Sequence, residues 1–216
     1  MLFRSQGIKE GNFRALVTGP VNKATIRGGG FESFTGHTEF LRDFFGLPEV
    51  VMMLASTDCR VALVTTHLPL AEVPKTITLK RIETVTGIVI KAFSDVFQIP
   101  QPRIHVLGLN PHAGEDGHLG REELDIIQPA LEALRAQNPD VHIEGPLPAD
   151  TAFTPELRAQ ADCHIAMYHD QALPVVKYKG FGDSVNITLG LPIVRTSVDH
   201  GTALSLAGKG LASTKG

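Results

Sequence analysis

Three histidines each close a short apolar run. His67 ends "RVALVTTH", His112 ends "RIHVLGLNPH" and His169 ends "CHIAMYH". Runs of that length, rich in β-branched and aliphatic residues, read as buried strands, and the helix-patterned stretches between them point to a parallel sheet. In an open α/β sheet, ligands bind in the crevice outside the carboxyl ends of the strands. Three imidazoles delivered to that edge can converge on one divalent cation and leave coordination positions open for a substrate. A single histidine at a strand end is more often an ordinary hydrogen-bonding residue. Three in equivalent places, each beside further polar residues, predict a catalytic metal site. His105 and His164 lie inside apolar runs and His142 in "DVHIEG"; these three are read as core or surface residues.

Two loops carry further chemistry. "NPHAGEDGHLGREE" follows its strand directly, and Gly114, Gly117 and Gly120 are expected to bring backbone N–H groups towards an anionic ligand at a helix N-terminus. It contains neither the dinucleotide GxGxxG spacing nor the P-loop GxxxxGK. The densest polar segment runs from "YHDQALPVVKYKG" to "RTSVDHGTA". Asp170 could orient the His169 imidazole, bind a substrate amine or ligate the metal. Lys177 offers a point charge, Asn186 a neutral donor and Arg195 a planar fork, a set that suits phosphate. Asp199 and His200 suit supporting or helix-capping roles.

The elements that must position these groups alternate between strand and helix. "FRALVTGPVNKATI" reads as a strand, a turn and a helix start; "GHTEFLRDFFG" is a helix stopped by Gly46. "VVMMLA" and "RVALVTTHLPL" are neighbouring strands joined by the polar "STDC". From Lys75 to Phe97, Leu79, Ile82, Val85, Val89, Phe93 and Val96 recur at helical spacing, and Glu122–Ala136 shows a second apolar helical face. "RIHVLGLNP" and "CHIAMYH" are strands, and "VNITLGLPIVRTS" is a strand pair. The pattern predicts an α/β fold.

The 216 residues can bury a sizeable core. A formal net charge of −3 offers no basic face for nucleic acid, and no apolar run is long enough to span a bilayer. The cysteines, Cys59 and Cys163, form no CxxC pair, and no signal-peptide pattern opens the chain, so a cytoplasmic location is expected.

The strings "LVTGPVNK", "FTGHTEF", "VALVTTHLPL", "GLNPHAGEDGHLGREE", "GPLPADTAF", "AMYHDQALPVVKYKGFG" and "VNITLGLPIVRTSVDHGTALSLAG" occur in this order from about residue 12 to about residue 208. Together they resemble the 4-hydroxythreonine-4-phosphate dehydrogenase family of pyridoxal-phosphate biosynthesis. The resemblance implies a three-layer α/β/α fold related to isocitrate and isopropylmalate dehydrogenases, with two subdomains flanking an active-site cleft, in a homodimer. It places the metal on His67, His112 and His169, in a site shared between the two subunits. It places His37, Thr38, Lys177, Asn186 and Arg195 on the substrate, with Asp150 and Asp170 close by. His37 and Asp170 are the candidates for general base. The implied cofactors are NAD (or NADP) and a divalent metal such as zinc, cobalt or magnesium; no residue is assigned to the dinucleotide.

The implied reaction oxidises C3 of 4-phosphooxy-threonine, a small phosphorylated amino acid, and the 2-amino-3-oxo product then decarboxylates. The family's glycine-rich opening segment and closing helix have no counterpart in residues 1–216, which read as one region covering the central and C-terminal parts of both subdomains. The expectation is therefore metal binding, and substrate binding, with little or no NAD-dependent turnover. Three other readings compete: a dehydrogenase of a related sugar acid such as erythronate or threonate 4-phosphate, a metal-dependent hydrolase, and an inactive metal-binding fragment. The hydrolase lacks an HExxH-type arrangement.

Overall fold

A computed structural model describes residues 2–180 and 182–211. In chain order it contains α1 (Leu2–Lys9), β1 (Ala15–Thr18), α2 (Lys23–Gly28), α3 (His37–Phe44), β2 (Val51–Ala55) and β3 (Arg60–Leu63). There follow α4 (Val73–Thr76), α5 (Leu79–Asp95), β4 (Arg103–Leu107), α6 (Gln128–Gln137) and β5 (His142–Leu147). The last elements are α7 (Pro155–Arg158), β6 (Cys163–Ala166), α8 (His169–Gly180), β7 (Val185–Leu189) and β8 (Val194–Val198). The strands form one sheet in the order β1-β8-β7-β2-β3-β6-β4-β5. Among the described residues, no helix is long and apolar enough to cross a membrane.

The sheet is mixed, which corrects the expectation of a parallel one. β3, β6, β4 and β5 run parallel, but β2 is antiparallel to both β3 and β7, and β7 is antiparallel to β8. The cause is local. β2 and β3 are joined by a tight hairpin in which Ser56 N and Oγ both donate to the Cys59 carbonyl, at 2.9 and 3.2 Å, and such a short link can only reverse the chain.

Alternation along the strands divides the core between two faces. Met53, Ala62, Val64, Val106 and Ile165 pack with Ile82, Val85, Val89 and Phe93 of α5 and Leu131 and Leu134 of α6. Leu54, Val61, Leu63 and Ala166 point the other way, onto Ala172, Leu173 and Val176 of α8. Helices thus cover both faces of the sheet, giving three α/β/α layers. A smaller cluster packs Ile8 of α1 and Leu41 of α3 on Leu16 of β1.

Two helices differ from their sequence patterns. The Lys75–Phe97 periodicity is interrupted at Ile77 and Thr78, which are extended; the Thr78 side chain accepts from Arg81 N and starts α5. The Glu122–Ala136 helix begins as a π turn over Glu123–Ile127. Pro129 has no N–H to bond the Asp125 carbonyl in α register, and the wider turn is the outcome. β5 and α8 were not legible. Gly145 and Pro146 break the strand pattern of the first, and Pro174 with a polar surface obscures the second.

Candidate active site

β3, β6 and β4 are adjacent and parallel, so the segments carrying His67, His169 and His112 leave the sheet at the same edge. Two of the three histidines meet. The rings of His67 and His169 lie 5.6 Å apart between centroids, tilted by 45°. Their segments are stitched together just before the histidines: Thr65 N and Oγ1 both donate to the Met167 carbonyl, at 3.1 and 2.7 Å. His169 Nδ1 lies 2.6 Å from Asp170 Oδ1. A carboxylate there accepts from an Nδ1–H, and in that tautomer of the neutral ring Nε2 has the lone pair, the arrangement that orients a metal-binding imidazole. Burial, followed by the proximity of His169, lowers the pKa of His67 and favours its neutral, ligating form.

Within the single chain His112 does not join them. Among the described residues, no group of three histidine, cysteine, aspartate or glutamate side chains comes together to hold a metal. His67 and His169 line one cleft with His37, Lys177 and Asn186. His112 lines another, with Asp150 and Asp170. The separation originates in the loop after β4. Residues His112 to Asp116 have φ between 44° and 84°, a left-handed turn that carries the exposed His112 away from the strand end. For a non-glycine residue this conformation costs roughly 1–2 kcal/mol.

The glycines of this loop also act differently from expectation. Gly114 packs its bare Cα against the Glu123 carboxylate and Gly120 against the Asn110 side chain; a Cβ at either would collide. Close approach is to the chain's own side chains.

The first cleft has the sheet as its floor. α8 packs over β3, β6 and β2, and Met52 of β2 with Asn186 of β7 lines the cleft beside it. Lys177, on α8, donates to the Asp199 carbonyl at 3.2 Å, and Ser184 Oγ donates to the Asp199 carboxylate at 2.5 Å. Asn186 Oδ1 is buried without a hydrogen-bond partner. Thr38 lines a separate groove with Glu39, Arg42 and Arg81, while Arg195 lines neither cleft and is 3% exposed. Its Nη atoms donate at 2.8 Å to Thr188 and to Thr18, with Thr38 at 3.5 Å, and its Nε has no partner. The guanidinium is held by neutral hydroxyls, and burial lowers its pKa while the nearby Glu39 carboxylate partly offsets that cost. His37 opens α3, its ring edge-on to Phe34. Burial and then Arg195 lower its pKa, so His37 is neutral and able to accept a proton near pH 7.

Sequence reasoning missed Gln171. It accepts from Met167 N at 2.7 Å and donates to the Gly108 carbonyl at 2.6 Å, tying the ends of β6 and β4. It missed Ser184 and Glu123 as well. A lone glutamine, serine or glutamate in a helical or polar stretch carries no spacing signal.

The family described as pyridoxal phosphate biosynthetic protein PdxA matches residues 4–216. The chain belongs to this family. A 4-hydroxythreonine-4-phosphate dehydrogenase of Pseudomonas syringae pv. tomato is 60% identical over 203 residues, 94% of this chain and 61% of that protein. One from Vibrio cholerae is 57% identical across 96% of this chain and 62% of its own length. The chain thus spans about three fifths of the curated relatives it matches. A crystal structure of the Klebsiella pneumoniae 4-hydroxythreonine-4-phosphate dehydrogenase superposes with a TM-score of 0.87 at 41% identity, covering 97% of this chain and 62% of that one. A terephthalate 1,2-cis-dihydrodiol dehydrogenase from Burkholderia xenovorans superposes with a TM-score of 0.75 at 27% identity, covering 97% and 65%.

Proposed function

We propose that the chain forms the metal- and phosphate-binding part of an NAD-dependent dehydrogenase acting on 4-phosphooxy-L-threonine, assembled as a homodimer. The observation that carries this reading is the division of the site into two complementary halves. One cleft presents His67 and His169 beside Lys177 and Asn186; the other presents His112 beside Asp150 and Asp170. A second copy that brings its His112 to the first cleft completes a three-histidine set. The donor set suits a divalent transition metal: one imidazole is already oriented by a carboxylate, and the other is held neutral by burial.

Such an ion would supply Lewis acidity to the substrate hydroxyl, and NAD would take the hydride. The chain's own residues do the rest. Lys177 and Asn186 bind the phosphate, and Arg195 adds its positive charge from the buried layer next to the cleft. His37 accepts the hydroxyl proton. Asp170 holds the His169 ring, and Asp150 meets the substrate's amine. The likeness to a dihydrodiol dehydrogenase shows that related chains carry names for unphosphorylated substrates. The cationic wall of this cleft favours a phosphorylated one, with an erythronate or threonate 4-phosphate as the second candidate.

Subunit complementation tests the reading. His112→Ala and His169→Ala proteins each lack stoichiometric zinc, but their mixture regains zinc because each mixed dimer contains one intact set. A mixture that stays as empty as its parents would refute the shared site. Comparing the amino acid phosphate with the sugar acid phosphates, by NADH absorbance in a protein carrying this chain, identifies the substrate.

A further inference from the structure

We propose that Glu123 is the positioning residue for His112, a buried clamp that holds the loop after β4 in its left-handed turn. The inference rests on His112 being a metal ligand in the reading above. Glu123 lines neither cleft and is 2% exposed. Its carboxylate is nevertheless almost saturated. Oε1 accepts from Leu109 N and Asn110 N, both at 2.7 Å, and Oε2 accepts from Asn110 Nδ2 at 2.9 Å. The backbone closes on it from both sides: a Cβ on Gly108 would stand 3.0 Å from Oε1, and one on Gly114 would stand 2.7 Å from Oε2.

The N–H groups that meet a carboxylate are those of Leu109 and Asn110 at the mouth of the loop, and the carboxylate is the chain's own Glu123. Charge-assisted hydrogen bonds of this kind are the strong ones, and burial removes competing water. They fix Leu109 and Asn110, the residues that lead into backbone that would not hold its shape alone. His112, Ala113, Glu115 and Asp116 all have positive φ without being glycine. Backbone in such regions persists only where its surroundings over-determine it. The π turn matters here, because Glu123 is its first residue and points back under the strand end. Removing the clamp lets the turn relax to ordinary φ values, and the exposed His112 ring then samples many directions.

The experiment measures affinity for zinc alone, by competition with a chromophoric chelator, in the dimeric protein. Glu123→Ala weakens zinc by ~10- to 100-fold, the range for residues that orient a ligand. Glu123→Gln, which keeps one acceptor oxygen, weakens it less. Hydrogen exchange accelerates at Leu109 and Asn110 while Val106 and Ile165 in the strands keep their protection, a pattern that general destabilisation would not give. Ala113→Gly, added to Glu123→Gln, recovers affinity because glycine adopts positive φ freely. That double variant decides the matter if Glu123→Ala fails to fold. His112→Ala separates the two claims. If it leaves zinc affinity intact, the ligand reading falls, and this proposal with it. If it weakens zinc while Glu123→Ala does not, or if Ala113→Gly recovers nothing, Glu123 does not position His112.

Discussion

The rings of His67 and His169 stand 5.6 Å apart although they follow two different strands. Their closeness is built into the sheet. β3 and β6 are parallel neighbours, and the Thr65–Met167 bonds extend their ladder to within two residues of the histidines. His67→Ala and His169→Ala should each abolish stoichiometric divalent metal in elemental analysis. His105→Ala, in the core away from both clefts, should retain it.

Arg195→Lys keeps the positive charge but cannot reach Thr18 and Thr188 together with a planar fork. Affinity for a phosphorylated substrate, measured by calorimetry, should fall by about 1–3 kcal/mol. Affinity equal to the parent's would show that the guanidinium serves only the fold.

Gln171→Leu should destabilise the chain by about 1–3 kcal/mol in urea, because Met167 N and the Gly108 carbonyl lose their partner in a part-buried place. Gln171→Glu should do no better. It still accepts from Met167 N but sets a carboxylate oxygen against the Gly108 carbonyl.

Acid stability should report on His164. Burial, and then the neighbouring His105, push its pKa from 6.5 down to about 4, and neutral Nε2 donates to the Ala152 carbonyl at 3.2 Å. The unfolded chain takes up a proton that the folded chain refuses. The stability is therefore fully present above pH 6.5 and is lost as pH falls towards 4, by about 3 kcal/mol for this residue. Burial shifts His105 in the same direction. His164→Gln keeps a donor for Ala152 and should flatten the dependence of urea midpoints on pH between 6.5 and 4. An unchanged slope would remove His164 as its source.

Much of the fold was legible because burial writes itself into periodicity. The alternation in "VVMMLA" and "RVALV" and the helical spacing of Ile82, Val85, Val89 and Phe93 each reflect a side facing the core. The hairpin was legible too, since "STDC" is too short for a crossover. Strand direction elsewhere was not, because β7 and β8 read the same in either orientation. Within the site, the pairing of His67 with His169 followed from strand ends. The departure of His112 did not, because it depends on the sign of φ in residues such as Ala113 and Glu115, whose identities give no hint of it. The burial of Arg195 was equally hidden: its three threonine neighbours come from β1, β7 and α3, far apart in sequence.

The left-handed turn also changes which substitutions the surface accepts. Exposed positions are ordinarily the permissive ones, and a scan of the chain would be expected to find tolerance wherever water reaches. Glu115 and Asp116 are exposed, yet their backbone is the mirror image of a common helical turn. There the order of preference inverts: glycine and asparagine become the favoured replacements, alanine is poor, and valine or isoleucine is worst. In this loop handedness, rather than solvent access, sets the limits on sequence drift.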